Sequence, residues 1–190
     1  MSIKGTRTEV NLLKAFAGES QARNRYTYFA SVAKKDGYEQ ISALFLETAE
    51  NEREHAKVFF KFLEGGDAEI TASYPAGRIG TTPENLLAAA EGEKLEWSLL
   101  YPDFAAVAEE EGLADVATAW REIADVEDKH EKRYRKLLAN VEAGRVFTKD
   151  HPIRWKCRNC GYVHECTTAP LECPACKHPQ AYYEVFTEPY

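Results

Sequence analysis

No stretch of about eighteen consecutive apolar residues occurs in the chain, so nothing in it reads as a membrane-spanning helix. The N-terminus, Met1-Ser-Ile-Lys-Gly-Thr6, lacks an apolar run as well, and no secretory signal is expected. Positive charge is scarce: 24 Lys and Arg stand against 31 Asp and Glu, a net charge of −7. Phosphate binding wants a basic surface, so this balance argues against nucleic acid as the main partner. Cysteine is absent from residues 1–156, and all five cysteines lie between Cys157 and Cys176. An odd number without a secretion signal favours thiolate ligands in a reducing cytoplasm over disulfides. What is present, 44% hydrophobic and 29% charged residues over 190 positions, is a globular composition with room for one sizeable core and a small second unit.

Four long helices are predicted. Thr6-Arg-Thr-Glu9 reads as a capping box, and apolar residues from Leu12 to Ala33 recur at helical spacing up to Gly37. The first helix should run over about 7–35 and the second over about 38–64, closed by Gly65-Gly66. The turn between them is so short that the two are antiparallel neighbours. Residues 65–82 form the longest connection. Thr82-Pro83-Glu84 then opens a third helix to about 111, in which Pro102 should cause a kink. Gly112 separates it from a fourth, over about 114–142. Twenty-five residues span roughly 38 Å. Short first and third turns with one long crossover describe an all-α four-helix bundle of the ferritin-like kind.

Within this frame, Glu52-Arg-Glu-His55 and Glu127-Asp-Lys-His130 share one spacing. A carboxylate and an imidazole three apart on a helix lie about 60° from each other, on the same side. Glu19 precedes the first pair and Glu93 the second. Glu19 and Glu93 are 74 residues apart, whereas Glu52 and Glu127, like His55 and His130, are 75 apart. Two related helical hairpins would therefore build one site with approximate two-fold symmetry. One Glu-x-x-His alone is most often a solvated helix face. Two in equivalent places, each with a partner Glu, match the carboxylate di-iron pattern. Carboxylates can bridge and neutralise two cations, imidazole suits iron, and without cations the converging glutamates would repel one another.

Glu96, three after Glu93, gives the second half a carboxylate where the first has only Ala22. Tyr26 and Tyr101 could reach the site and hydrogen-bond its ligands, or serve as ordinary core tyrosines. The acidic run Glu109-Glu-Glu111 with Asp115 reads as a solvated helix end.

From about Ala143 the helical periodicity stops and Pro152, Pro170, Pro174, Pro179 and Pro189 appear. The chain therefore divides into a bundle, 1–146, and a loop-rich unit, 147–190, too small to hold together by its core alone. Cys157-x-x-Cys160 and Cys173-x-x-Cys176 supply four thiolates for a tetrahedral metal. Zinc and iron are both compatible with the spacing, a structural zinc ribbon being the plain alternative. Cys166, between the pairs, reads as a spare thiol.

The segments Ala17-Gly-Glu-Ser-Gln-Ala-Arg-Asn-Arg-Tyr26, Glu52-Arg-Glu-His-Ala-Lys57, Phe62-Leu-Glu-Gly-Gly66 and Cys157-Arg-Asn-Cys-Gly-Tyr-Val-His164 are more specific than ligand spacing. Through them the chain resembles the rubrerythrins over its whole length. The resemblance implies a non-haem di-iron site in the bundle and a rubredoxin-like Fe(Cys)₄ centre on Cys157, Cys160, Cys173 and Cys176. It implies that Glu52 and Glu127 bridge the irons, that Glu19 and Glu96 serve the first iron, and that Glu93 and His130 serve the second. It further implies that His55 replaces Glu96 on reduction, with Tyr26 and Tyr101 as hydrogen-bonding tyrosines. The activity implied is reduction of hydrogen peroxide to water in oxidative-stress defence, with electrons fed through the Fe(Cys)₄ centre from rubredoxin or an NAD(P)H-dependent reductase. A ferroxidase or iron-handling protein and a non-enzymatic zinc-ribbon protein are the alternatives. The fourth helix carries the chain about 12 residues, or roughly 18 Å, beyond His130. Transfer to a neighbouring subunit's site is therefore easier, and a head-to-tail homodimer is expected.

Overall fold

The computed structural model describes residues 2–188 and 190; Met1 and Pro189 lie outside the described residues. Helix α1 spans Arg7–Lys35, with Thr6 Oγ1 accepting the Glu9 N–H at 3.1 Å as the capping pattern predicts. Gly37, at φ 86°, turns the chain into α2, Glu39–Phe62. The second helix ends two residues earlier than expected. Glu64 instead accepts hydrogen bonds from Ser2 Oγ at 2.6 Å and the Ile3 N–H at 3.1 Å, which tie it to the N-terminal segment.

The third predicted helix departs from expectation most. It is built as α3 (Thr82–Leu95), a π-helical turn (Glu96–Leu100) and α4 (Tyr101–Glu110). The irregularity expected at Pro102 therefore lies just before it, as a widened turn in which the Tyr101 N–H reaches back to the Glu96 carbonyl. Proline cannot donate to the carbonyl four residues back, and a widened turn re-sorts the bonding upstream of it. Gly112, at φ 75°, leads into α5, Ala114–Glu142.

Helix α1 packs along α2, and α3 with α4 along α5. Each hairpin closes on the other through matching end contacts. Asp36, after α1, accepts from Thr82 Oγ1 at 2.6 Å and the Thr82 N–H at 3.2 Å. Glu111, after α4, accepts from Thr8 Oγ1 at 2.6 Å and the Thr8 N–H at 2.9 Å. Glu111 is thus an N-terminal cap for α1 and not a merely solvated helix end; the Thr8 hydroxyl foremost holds its carboxyl down to about 2. Apolar packing lies in two layers, one around Leu12, Phe59, Tyr101 and Trp120, the other around Tyr26, Phe29, Phe45 and Tyr134. The glutamates and histidines lie between them.

The C-terminal unit is a three-stranded antiparallel sheet of order β2-β1-β3, with β1 Thr148–Cys157, β2 Val163–Thr168 and β3 Tyr183–Val185. Trp155, Cys157, Ala169, Cys173 and Tyr183 form its small core. It sits against the α1–α2 turn, where the rings of Tyr38 and Phe147 stack at 6.1 Å. Among the described residues no helix is long and apolar enough to cross a membrane.

Candidate metal centres

The bundle brings together two groups of ligand atoms: Glu19, Glu52, His55 and Glu127, and Glu52, Glu93, Glu127 and His130. Glu52 and Glu127 belong to both. Each spreads its two oxygens over the two imidazoles: Glu52 Oε2 lies 3.0 Å from His55 Nδ1 and Oε1 3.3 Å from His130 Nδ1. Glu127 Oε1 lies 2.7 Å from His55 Nδ1 and Oε2 2.6 Å from His130 Nδ1. The terminal carboxylates are held crosswise between the hairpins. Tyr26 Oη on α1 donates to Glu93 Oε1 on α3 at 2.6 Å, and Tyr101 Oη donates to Glu19 Oε1 on α1.

The phase of Tyr101 depends on the π turn. Tyr26 follows Glu19 by seven residues, about 20° from the same face. Tyr101 follows Glu93 by eight, which in a regular helix would leave it about 80° away. The wide turn absorbs the extra residue and returns Tyr101 to the site. The sequence carries this signal: equivalent residues are 74 apart through Thr8/Thr82 and Glu19/Glu93, and 75 apart from Tyr26/Tyr101 onwards.

Glu19, Glu52, Glu93 and Glu127 are 0–1% exposed. Glu19 Oε2 and Glu93 Oε2 accept no hydrogen bond, and Glu52 Oε1 and Glu127 Oε1 lie beside imidazoles but out of hydrogen-bonding line. Buried carboxylate oxygens without donors are costly, and cations supply the missing partner. The donor set therefore fits two bound metals. Without metal, protons take their place. Burial and then the neighbouring carboxylates push Glu19 and Glu93 well above the usual range. Burial pulls the imidazoles down, but Glu127 and Glu52 outweigh it and raise His55 to about 10 and His130 to about 9. Against the same burial, His130 and His55 hold Glu52 down to about 2.

Glu96 stands at the start of the π turn and lies outside both ligand groups. It differs from the other four carboxylates in being only partly buried. Its neighbour Trp97 is tied to α5, donating from Nε1 to Glu131 Oε2 at 2.7 Å, and Arg135 Nε donates to Glu131 Oε1 at 2.7 Å. This clamp on the π turn was not visible in the sequence, because it depends on where the inserted residue turns Trp97.

Cys157, Cys160, Cys173 and Cys176 gather their sulfurs in the C-terminal unit. Sγ···Sγ distances are 3.7 Å for Cys157–Cys176 and for Cys160–Cys173. A tetrahedron with metal–sulfur bonds of ~2.3 Å has edges of ~3.8 Å, so the cage is already at ligand size. Backbone N–H groups aim at the sulfurs; that of His178 foremost pulls Cys176 down to about 6. Cys166 lies on β2 outside this group, its thiol donating to the Thr168 carbonyl at 2.7 Å.

The rubrerythrin family model matches residues 10–138, and the model of the rubrerythrin rubredoxin-like domain matches residues 155–184. The chain belongs to the rubrerythrin family. It is 65% identical to the rubrerythrin of Porphyromonas gingivalis over 96% of this chain and 92% of that one. It is 57% identical to the rubrerythrin of Nitratidesulfovibrio vulgaris over 97% of this chain and 96% of that one. Among solved structures, nigerythrin in its fully reduced, all-ferrous state matches with a TM-score of 0.64 and 30% identity, covering 97% of this chain and 92% of that one. Rubrerythrins are oxidoreductases, and this member pairs a di-iron carboxylate–histidine centre with a four-cysteine rubredoxin-like iron centre.

Proposed function

We propose that the protein reduces hydrogen peroxide to water, as an oxidative-stress peroxidase re-reduced through its Fe(Cys)₄ centre by rubredoxin or an NAD(P)H-dependent reductase. The observation that carries this reading is a carboxylate–imidazole box with four fully buried glutamates and a single partly open carboxylate, in one chain with a four-cysteine centre suited to electron transfer. The division into a bundle, 1–146, and a rubredoxin-like unit, 147–190, belongs to the same proposal.

In this reading two metals would be held by the two ligand groups, Glu19, Glu52, His55 and Glu127 on one side and Glu52, Glu93, Glu127 and His130 on the other, with Glu52 and Glu127 shared between them. Glu96 is the additional carboxylate on the first metal's side. Bound there, an iron pair would supply the two electrons that, with two protons, convert peroxide to two waters. Tyr26 and Tyr101 orient Glu93 and Glu19 through their hydroxyls. Buried Tyr101 and Phe59 help keep bulk water from the box. Glu96 holds a proton readily, because burial and then Glu127 and Glu52 push its carboxyl well above the usual range. Lining the cavity beside the box, it is the carboxyl we assign to proton delivery to the departing oxygen.

The rubredoxin-like unit leans on Tyr38, and Glu52 is fourteen residues further along α2, about 21 Å at 1.5 Å per residue. This supports electron delivery across a head-to-tail homodimer. Full-length Cys160→Ser and Glu127→Gln chains, each inactive, should regain donor-driven turnover when mixed and allowed to exchange. No recovery would rule out the cross-chain route. The peroxidase assignment itself is tested by rapid mixing of the reduced protein with peroxide and with oxygen. Faster oxidation by peroxide is expected, and faster oxidation by oxygen would overturn it.

A further inference from the structure

Between α1 and the π turn lies a cavity of about 300 Å³. Its roof is the stretch from Ala72 to Pro75 in the long crossover, pinned by Tyr74 Oη donating to the Lys14 carbonyl at 2.8 Å. Its floor reaches the metal box through Glu96 and Tyr101. Gly18 separates the roof from Glu96: a Cβ built there would meet the Tyr74 ring at 3.7 Å and Glu96 Oε1 at 3.9 Å. Glu96, the partly open carboxylate of the site, thus faces a partly open pocket that glycine keeps clear.

Two properties of this space do not suit hydrogen peroxide alone. A water molecule takes about 30 Å³ of liquid volume, so the cavity is several times larger than a two-oxygen substrate needs; its size is that of a small organic ligand site. Its walls, including Ala15, Tyr74, Leu95, Leu100 and Phe104, offer hydrocarbon where hydrogen peroxide would want hydrogen bonds. Lys14, Gln21, Arg25, Ser73 and Glu96 are its polar lining, and Arg25 lies near enough to Glu96 to act on its charge. Such a shape suits a molecule with an apolar body and one oxygen-rich head.

Resting on the peroxidase reading, we infer that this cavity admits organic hydroperoxides, with the hydrocarbon group against the apolar walls and the –OOH at Glu96. The reaction is ROOH + 2 e⁻ + 2 H⁺ → ROH + H₂O. The O–O bond breaks, each oxygen ends with an O–H bond, and the two electrons would be supplied by the reduced metal centre of the peroxidase reading. Gly18 and Tyr74 set the size of group accepted.

The test uses metal-loaded full-length protein. Cumene hydroperoxide and hydrogen peroxide are compared by their kcat/KM, and 2-phenyl-2-propanol, the unreactive product alcohol, is titrated into the oxidised protein by calorimetry. Saturable binding of one alcohol per chain is expected. Gly18→Leu should weaken that binding, and lower the cumene-to-hydrogen-peroxide ratio, by at least about tenfold. Tyr74→Ala, on the exposed crossover, should weaken alcohol binding without filling the cavity, which guards against a Gly18 variant that misfolds. Hydrogen peroxide turnover with neither alcohol binding nor cumene hydroperoxide turnover would overturn this inference and leave the hydrogen peroxide reading standing. Turnover of neither peroxide would remove both. Alcohol binding indifferent to both variants would place the organic substrate elsewhere and overturn the role of this cavity.

Discussion

The two helical hairpins of the bundle are built to one plan and differ by one inserted residue and one carboxylate. Thr8, Glu19, Tyr26, Asp36, Glu52 and His55 in the first correspond to Thr82, Glu93, Tyr101, Glu111, Glu127 and His130 in the second. The end caps, the crossed tyrosines and the shared glutamates repeat accordingly. The insertion falls between Glu93 and Tyr101 and is absorbed as the π turn. Where the first hairpin presents buried Ala22, the second presents Glu96 beside a partly open cavity. The symmetric part of the plan makes a box for two cations, and the asymmetric part opens it on one side.

The largest expected effect tests the symmetric part. If Glu52 and Glu127 are equivalent bridges, Glu52→Ala and Glu127→Ala should each abolish binding of both bundle metals and leave the four-cysteine iron in place. Glu19→Ala and Glu93→Ala should each weaken only one metal position. Metal content per chain reads this directly, and unequal losses from the two bridge variants would break the equivalence.

Next in size is the pH response of the metal-free protein, in which protons on the two halves substitute for metals. His55 and His130 have folded values of about 10 and about 9, above the unfolded value of ~6.5. Their contribution is fully present below ~6.5 and is lost as pH rises through about 9 to 10, on the order of several kcal/mol together. Glu19, Glu93 and Glu96, also raised, act in the same direction. Glu52, held at about 2, acts oppositely, its contribution being lost only as pH falls toward that value. Thermal unfolding should therefore show the metal-free protein losing stability between pH 6.5 and 10, while the metal-loaded protein changes little. A metal-free protein equally stable at both ends would contradict these protonation states.

The bundle was legible in the sequence because its signals are long-range and redundant: helical spacing over some 25 residues, glycine stops, and a ligand pattern written twice. The four-cysteine cage was legible for the same reason. The π turn was not, although the change from 74 to 75 in the repeat spacing recorded it, because one added residue scarcely alters an apolar pattern and Pro102 offered a nearer cause. Glu111 was misread because a carboxylate at a helix end looks solvated until the partner helix start, Thr8, is placed beside it. Glu96 was singled out by its spacing from Glu93, but its exposure to a cavity depends on the crossover roof, which has no periodicity to read.

The asymmetric part is tested by making the halves alike. Glu96→Ala gives the second hairpin the residue that the first has at Ala22. Since Glu96 belongs to neither ligand group, both metals should remain bound, while peroxide reduction slows by about a hundredfold or more if its carboxyl delivers a proton. The converse, Ala22→Glu, puts a carboxylate at a position only 2% exposed and should destabilise the fold with no gain in rate. Loss of metal in Glu96→Ala would instead make it a ligand required for occupancy.

The smallest effect asks whether the π turn delivers Tyr101 as well as a regular helix delivers Tyr26. Both tyrosines are 1% exposed and each donates to a buried glutamate of the opposite hairpin. Phenylalanine in either place keeps the ring packing and removes only the hydroxyl, leaving Glu93 or Glu19 one donor short. In the metal-free protein each substitution should cost about 1–3 kcal/mol, the usual penalty for a buried acceptor left unpaired. Equal losses would show that the widened turn restores the symmetry of the hydrogen bonds fully. A markedly smaller loss for Tyr101→Phe than for Tyr26→Phe would mean that the inserted residue loosens its own hairpin's grip on Glu19, the terminal carboxylate nearest the open side of the site. Denaturant unfolding of the two metal-free variants, compared at one pH, separates these outcomes.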